Sequence, residues 1–241
     1  MGSSTWRHPA CGRSTRRSVA RWKGGGRGAL AGKLRPTRVL LATRSAGKIR
    51  ELRALFVARQ IEVVGPADVG ASPDPAEETL ESAETFEENA LAKARWFHRR
   101  TGMPTVADDS GLCVDALGGA PGVRSKRWSG RTDLEGQALD DANNTLLLTK
   151  LDGAQTRRAR YVCAAAFCDG VREIVERGES AGDITERPRG SGGFGYDPYF
   201  LSADLERTFA EVSLETKQTV SHRARAFSKL LLRLASVAHL G

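Results

Sequence analysis

The stretch Val106-Ala-Asp-Asp-Ser-Gly-Leu-Cys-Val-Asp-Ala-Leu-Gly-Gly-Ala-Pro-Gly122 decides how this chain is read. A short apolar run, Pro104 to Ala107, has the character of a strand and ends in two adjacent carboxylates, Asp108 and Asp109. The hydroxyl of Ser110 and the bare backbone of Gly111 follow at once. Adjacent acids repel each other, and a fold tolerates them where a cation or a proton-transfer task offsets the repulsion. The Gly-Gly-Ala-Pro-Gly segment that closes the stretch supplies tight turns and lets backbone approach a ligand closely. Together these features predict an active-site loop leaving a strand of an α/β sheet. An Asx-type turn at a strand end is the plainer reading of the same residues.

Working outward, strand and helix patterns alternate on both sides. Arg38-Val-Leu-Leu-Ala42 reads as a buried first strand, and Gly47 to Val57 as a helix with Ile49, Leu52, Leu55 and Phe56 on one face. Ile61-Glu-Val-Val64 reads as a second strand, and residues 66–84 as an acidic, proline-containing loop. Thr85 is placed to cap the next helix, with Glu88 three residues on in a capping-box arrangement. That helix runs to about Arg100 with Phe86, Ala90, Ala94 and Phe97 near one face. After Gly122, a helix is predicted from Leu134 to Leu151. A hairpin of Tyr161 to Cys168 and Val171 to Arg177 turns through Asp169-Gly170. A glycine-rich loop follows at Gly190-Ser-Gly-Gly-Phe-Gly-Tyr-Asp-Pro198, and an amphipathic helix from about Ser221 to Val237. Alternating strands and helices followed by a hairpin predict an α/β fold with a mixed sheet.

The 241 residues suffice for one domain or two small lobes, and the 40% apolar content is ordinary for a globular protein. Apolar runs such as Val39 to Ala42 and Leu230 to Leu232 are too short to span a bilayer. The formal charge of +8 raises the question of nucleic acid, and its location answers it. Residues 1–36 hold nine of the 37 Lys and Arg and none of the 29 Asp and Glu, which leaves 28 basic against 29 acidic residues beyond them. The chain therefore divides into a basic N-terminal extension, 1–36, read as disordered, and a nearly neutral body, 37–241. An organellar transit peptide has a similar Arg-rich, acid-free composition, whereas the apolar region of a secretory signal is missing. Cys11, Cys113, Cys163 and Cys168 show neither a disulfide framework nor zinc spacing, and Cys163 and Cys168 read as reduced core residues. A reducing cytoplasm fits this usage.

Four segments gather polar chemistry. Thr43-Arg-Ser-Ala-Gly-Lys48 opens the first helix, and its backbone N–H groups with Thr43, Ser45 and the Lys48 ammonium suit a phosphate. It is no Walker A loop, because Ala42 and Ile49 stand where that motif needs Gly and Ser or Thr. In the acidic segment from Glu77, Glu78 and Glu81 through Thr85 to Ala90, a carboxylate is positioned to join Asp109 on Mg²⁺, which prefers hard oxygen ligands. The glycines around Phe194-Gly-Tyr-Asp197 permit backbone contact with a ligand, and the aromatics offer to stack a flat ring. Lys217 and Ser221-His222-Arg223 place donors at the start of the last helix, with Ser221 as its cap. The sum points to a metal-dependent site for a phosphorylated ring.

These segments, in this order, resemble the inosine triphosphate pyrophosphatase family, the Ham1-like pyrophosphatases of non-canonical purine nucleoside triphosphates. The likeness is carried by Leu41-Ala-Thr43 with Gly47-Lys48 and Glu51-Leu52, by Thr85-Phe-Glu-Glu-Asn-Ala90 with Lys93-Ala-Arg95, and by Ala107-Asp-Asp-Ser-Gly111. Asp115-Ala-Leu-Gly-Gly-Ala-Pro-Gly122, Gly192-Gly-Phe-Gly-Tyr-Asp-Pro198 and Ser221-His-Arg223 complete it, so that it spans about residues 38 to 235. The resemblance implies an elongated α/β fold of two lobes about a mixed sheet, with the nucleotide in the cleft between them, and a homodimer. It implies Mg²⁺-dependent hydrolysis of ITP, dITP and XTP to the monophosphate and pyrophosphate, which clears deaminated purines from the nucleotide pool.

Carried over by position, the resemblance makes Asp109 the catalytic acid/base residue and a metal ligand, with Asp108 beside it. Glu81 falls where the family's metal-binding glutamate does, with Glu77 and Glu78 as alternative alignments. Thr43, Arg44, Ser45, Ala46, Gly47 and Lys48 are implied to hold the triphosphate and Ser110 to touch the substrate. Phe194, Gly195, Tyr196, Asp197, Lys217, His222 and Arg223 are implied around the base and phosphates. Hypoxanthine presents an O6 acceptor where adenine presents a donor, so Arg223 or a protonated His222 would favour the oxo-purine. This chain departs from the common pattern at Ser45, where the family has Asn, and at Thr216, where it often has an acid. Two other readings compete: a pyrophosphatase for another modified nucleotide, and a nucleic-acid-binding protein acting through the basic extension.

Overall fold

The computed structural model describes residues 36–236. The expectations for the extension and for Cys11 thus lie outside the described residues, apart from residue 36. Strand β1 (Arg38–Leu41) leads into helix α1 (Ala46–Val57) and strand β2 (Glu62–Val64). The acidic loop contains two short 3-10 turns, Ala67–Val69 and Pro75–Thr79, before helix α2 (Phe86–Thr101). Strand β3 (Thr105–Val114), helix α3 (Gly136–Lys150), strands β4 (Arg158–Cys168) and β5 (Glu173–Ile184), strand β6 (Phe200–Ser202) and helices α4 (Leu214–Val220) and α5 (His222–Ser236) follow. The six strands form one sheet in the order β2-β1-β3-β4-β5-β6. Pairing is parallel at β2-β1 and β1-β3 and antiparallel from β3 onward. This is the mixed α/β sheet predicted from the strand-helix alternation.

The local signals worked where residue chemistry fixes the backbone. Thr85 caps α2 by accepting from the Glu88 N–H, while its hydroxyl donates to the Glu88 carboxylate at 2.9 Å. Ser221 caps α5 by accepting from the Ala224 N–H. The β4–β5 turn is an Asp169-Gly170 turn, with Asp169 Oδ1 accepting from the N–H of Val171 and of Arg172 and Gly170 at φ +85°. Three apolar clusters cover the sheet. Leu52, Phe56, Phe227, Leu230 and Leu234 pack under α1 and α5 on one face, and Phe86, Ala90, Ala94 and Phe97 of α2 pack on the other. A third cluster at the far ends of β3 and β4 joins Leu112, Val114, Leu147, Leu151 and Phe200. The acidic pair lies between Val106-Ala107, which belong to the first two clusters, and Leu112, which belongs to the third.

The structure corrects one central expectation. Asp108 and Asp109 do not leave a strand in a loop: β3 runs unbroken through them, with Asp108 paired to Ala165 and Asp109 to Ala164. The repulsion is relieved by the pleat, which sends successive side chains to opposite faces, so the two carboxylates never face each other. The Gly118–Gly122 segment likewise approaches β3 itself. Val114 N–H donates to Ala120 O, Cys113 bridges Pro121, and a Cβ on Gly111 would lie 2.3 Å from Gly122 O. Sequence reading also missed β6 and α4, which are too short for a periodic signal, and stopped β5 at Arg177, seven residues early.

Candidate active site

The two faces of β3 carry different chemistry. On the α1/α5 face Asp108, wholly buried, accepts from Arg223 Nε at 3.2 Å and lies 3.0 Å from Lys48 Nζ. Burial raises the pKa of its carboxyl, but Lys48, Arg223 and Lys93 more than reverse this and hold it well below the usual carboxylate range. Arg223 also donates to Ser110 Oγ at 2.8 Å and pairs with Glu51. Glu51 accepts from Lys217 Nζ at 2.8 Å, and Lys217 reaches Asp197 Oδ2 at 2.6 Å. Asp108, Arg223, Glu51, Lys217 and Asp197 are all buried and alternate in sign, so each charge is paired.

On the α2 face Asp109, 5% exposed, accepts from Asn89 Nδ2 at 2.9 Å. Burial, and then the nearby Glu81 carboxylate, push its pKa up to about 6. Lys93 donates to Asp108 O at 2.8 Å and is paired with Glu81. Burial works against the charge of Glu81 too, yet Lys93 and Lys48 hold its pKa below the ordinary value. Asn89 and Lys93 sit four residues apart on the buried face of α2.

Two hard-oxygen carboxylates, Glu81 and Asp109, thus share a neighbourhood, and their repulsion raises the proton affinity of the more buried one. Asp108 Oδ1, also buried, has no hydrogen-bond partner among the described residues. Among those residues no group of three or more His, Cys, Asp or Glu could hold a metal by itself. A Mg²⁺ ion does not need one, because it commonly takes one or two carboxylates and completes its shell with water and substrate phosphate. The donor set fits that mode.

The sequence-predicted residues fall into three groups. Lys48, Asp108, Asp109, Ser110, Asp197, Lys217, Arg223 and Glu81 come together as described. The α1 N-terminus adds Thr43, Ser45, Ala46 and Gly47: Thr43 Oγ1 accepts from Ser45 N–H, and Ser45 Oγ accepts from Lys48 N–H as the helix cap. Phe194 lies over this turn, where a Cβ on Gly47 would come within 2.9 Å of its ring. Lys217 Nζ and the Arg223 guanidinium are 5.1 and 5.8 Å from the Phe194 ring.

Others are held elsewhere. Arg44 forms a two-point pair with Glu77 at 2.8 and 2.7 Å and donates to Ala71 O, so both residues are spent on bracing the acidic loop. Glu78 is exposed. Tyr196 is buried in the third cluster with its hydroxyl donating to Ser125 O at 2.8 Å, so Phe194 is the one aromatic of the pair turned toward the ions. Gly195 is bonded through its backbone to α3. Thr216 is exposed, turned toward Ser213 in the first turn of α4.

His222 differs from its sequence reading as a protonated donor. It is 3% exposed and stacks on Tyr161 at 4.5 Å, and its Nδ1 has no hydrogen-bond partner among the described residues. Burial, then the charges of Arg223 and Lys217, drive its pKa well below 6.5 and keep the ring neutral. Sequence reading left Glu51, Asn89 and Lys93 out of the site. The available signal was a polar residue on the buried face of an amphipathic helix, where burial demands a partner.

A model of the Ham1 family matches residues 39–232 of the chain. Curated dITP/XTP pyrophosphatases are similar to it over most of their length. The protein of Frankia alni is 48% identical over 204 residues, covering 83% of this chain and 98% of its own. That of Symbiobacterium thermophilum is 46% identical over 206 residues, covering 85% and 98%. Among solved structures, the Staphylococcus aureus Ham1 protein matches with a TM-score of 0.70 at 34% identity, over 83% of this chain and 98% of its own. A nucleoside-triphosphatase / dITP/XTP pyrophosphatase from Mycobacterium abscessus matches with a TM-score of 0.62 at 42% identity, over 80% and 98%.

Proposed function

The chain belongs to the Ham1 family, and we propose that it hydrolyses non-canonical purine nucleoside triphosphates, ITP, dITP and XTP, to the monophosphate and pyrophosphate. It is a nucleoside-triphosphate pyrophosphatase. The observation that carries the residue roles is the split between the two aspartates: Asp108 is fixed as an ion among cations, while Asp109 keeps a pKa of about 6 beside Glu81.

A carboxyl with that pKa is an anion at neutral pH and still a useful proton acceptor. Asp109 therefore orients the attacking water and takes its proton at a carboxylate oxygen as the water adds to the α-phosphorus and pyrophosphate departs. Asn89 Nδ2 donates to Oδ2 and the Ser110 N–H to Oδ1, which together fix the orientation of the carboxylate. Lys48 keeps Asp108 with one of its three N–H donors and turns the others, with the free N–H groups of the α1 N-terminus, to the triphosphate. Lys93 supplies a second positive charge between Glu81 and β3. A Mg²⁺ ion held by Glu81 and Asp109 would neutralise charge on the phosphates, the largest demand of the reaction. Phe194 stacks the base, and Arg223 and Lys217 offer donors to its oxo edge. Tyr196, Asp197, Arg44 and Glu77 serve as framework. The same reading makes the enzyme a homodimer of the cytoplasm, with the near-neutral body of the chain taking no part in specific nucleic-acid binding.

The test is pyrophosphate release by Asp109→Asn with Mg²⁺ titrated. Turnover is expected to fall by about 10²–10⁴-fold with the fold retained. Glu81→Gln is expected to raise the Mg²⁺ concentration needed for half-maximal rate. Wild-type turnover in Asp109→Asn would remove Asp109 from the chemistry.

A further inference from the structure

Phe194, whose ring faces Lys217 and Arg223 of the ion cluster, sits in a glycine-rich loop. Gly190, Gly193 and Gly195 all have positive φ, and glycine surrenders more backbone freedom on ordering than any other residue. Between the loop and α3 is a cavity of about 340 Å³ lined by Gln137, Asp141, Asn144, the loop glycines and Phe194 itself, so the loop has room to move. The position of Phe194 must therefore be imposed from outside.

Two side chains of α3 impose it. Gly195 N–H donates to Asp140 Oδ2 at 2.8 Å, and Gly195 O accepts from Asn144 Nδ2 at 3.0 Å. Asp140 and Asn144 are four residues apart and so project from one face of the helix, gripping both backbone groups of a single residue. Asn144 is 4% exposed. The next link is equally local: Phe194 N–H donates to Asp197 Oδ2 at 2.9 Å, which ties the ring's own backbone to the Lys217 end of the ion cluster. Neither Asp140 nor Asn144 has a hydrogen bond or ion pair with a member of that cluster.

We infer that Asp140 and Asn144 are positioning residues for substrate specificity: they clamp Gly195 and thereby fix where the Phe194 ring stands against the α1 N-terminus and Lys217, the contact that a bound purine has to accommodate. The inference rests on the proposed function. Every purine offers a π-face, so stacking alone does not discriminate. What discriminates is an edge wall too stiff to yield to one extra substituent such as the 2-amino group of guanine. A glycine loop bordering a cavity yields unless it is held.

Two readouts test the clamp on the full-length protein. In the ligand-free protein, exchange of the Gly195 amide hydrogen is expected to be slow in the wild type, at least about tenfold faster in Asp140→Ala, and near wild type in Asp140→Asn, whose amide oxygen still accepts. In steady state with dITP and dGTP, Asp140→Ala and Asn144→Ala are expected to raise KM for dITP about tenfold with kcat within about threefold. The dGTP-to-dITP ratio of kcat/KM should rise, the Mg²⁺ dependence should not change, and Asp140→Asn should restore selectivity. Unchanged Gly195 exchange in Asp140→Ala overturns the clamp whatever the substrate proves to be. Equal loss of both substrates with no rescue by Asn would reduce the pair to a purely structural role and overturn the specificity claim. A wild type inactive on dITP would instead remove the functional reading, with the exchange experiment still deciding the clamp.

Discussion

At the scale of single residues, the two neighbouring aspartates have opposite relations to the fold. The protein holds the Asp108 carboxyl below its ordinary value of 3.8, so its ionised form stabilises the native state. That contribution is complete above the unfolded value and is lost as pH falls through the lower folded one. The Asp109 carboxyl is held above 3.8, at about 6, so the fold prefers it protonated. Stability falls as pH rises between those two values, and the whole penalty is present at pH 7. In EDTA at pH 7, Asp108→Asn should therefore lower the unfolding free energy by about 3–5 kcal/mol, because it leaves Lys48 without its anion and Arg223 with Glu51 alone. Asp109→Asn should raise it by about 1–3 kcal/mol, with the gain vanishing near pH 4. Denaturant melts of both variants at pH 4 and pH 7 check this, and changes of the same sign would contradict the opposed environments. The chemical character of this pair was legible from adjacency alone. Which aspartate is locked and which stays basic was not, because that depends on the pleat and on cations that arrive from α1, α2 and α5.

At the scale of elements, the site is assembled by residues of four helices, α1, α2, α4 and α5, against one strand. Capping chemistry was readable at Thr85 and Ser221 because a cap is a local event within four residues. Ser45 is a cap as well, and this bears on the Asn that the family resemblance implies at its position. Asn and Ser cap about equally well, so Ser45→Asn should leave the melting temperature within about a degree or two. It should lower KM for the triphosphate through its longer amide, measured in steady state; an unchanged KM would contradict that gain. Long-range pairing is what the sequence could not display. Glu51 meets Lys217 across 166 positions and Arg223 meets Asp108 across 115, and no local pattern announces either. Gly178 shows the same limit: a Cβ there would lie 2.3 Å from His222 O and 2.4 Å from Ala226 N, so this glycine lets α5 sit on β5 and brings Arg223 to the site.

At the scale of the whole molecule, the α/β class and the mixed sheet followed from alternation of periods, and the strand order did not. The inference that charge belongs to residues 1–36 leaves a body with 28 basic and 29 acidic residues, most of whose buried charges are devoted to one cluster. A near-neutral body with an inward-facing charge array suits a small polyanion such as a nucleoside triphosphate. The direct measurement is pyrophosphate release from dITP, dATP and dGTP, each with Mg²⁺ and with EDTA, by the full chain and by a chain beginning at Thr37. Metal-dependent release that strongly favours dITP, equal in both chains, is the predicted result. No release from dITP, or release that survives EDTA, or release that disappears with residues 1–36, would contradict the account.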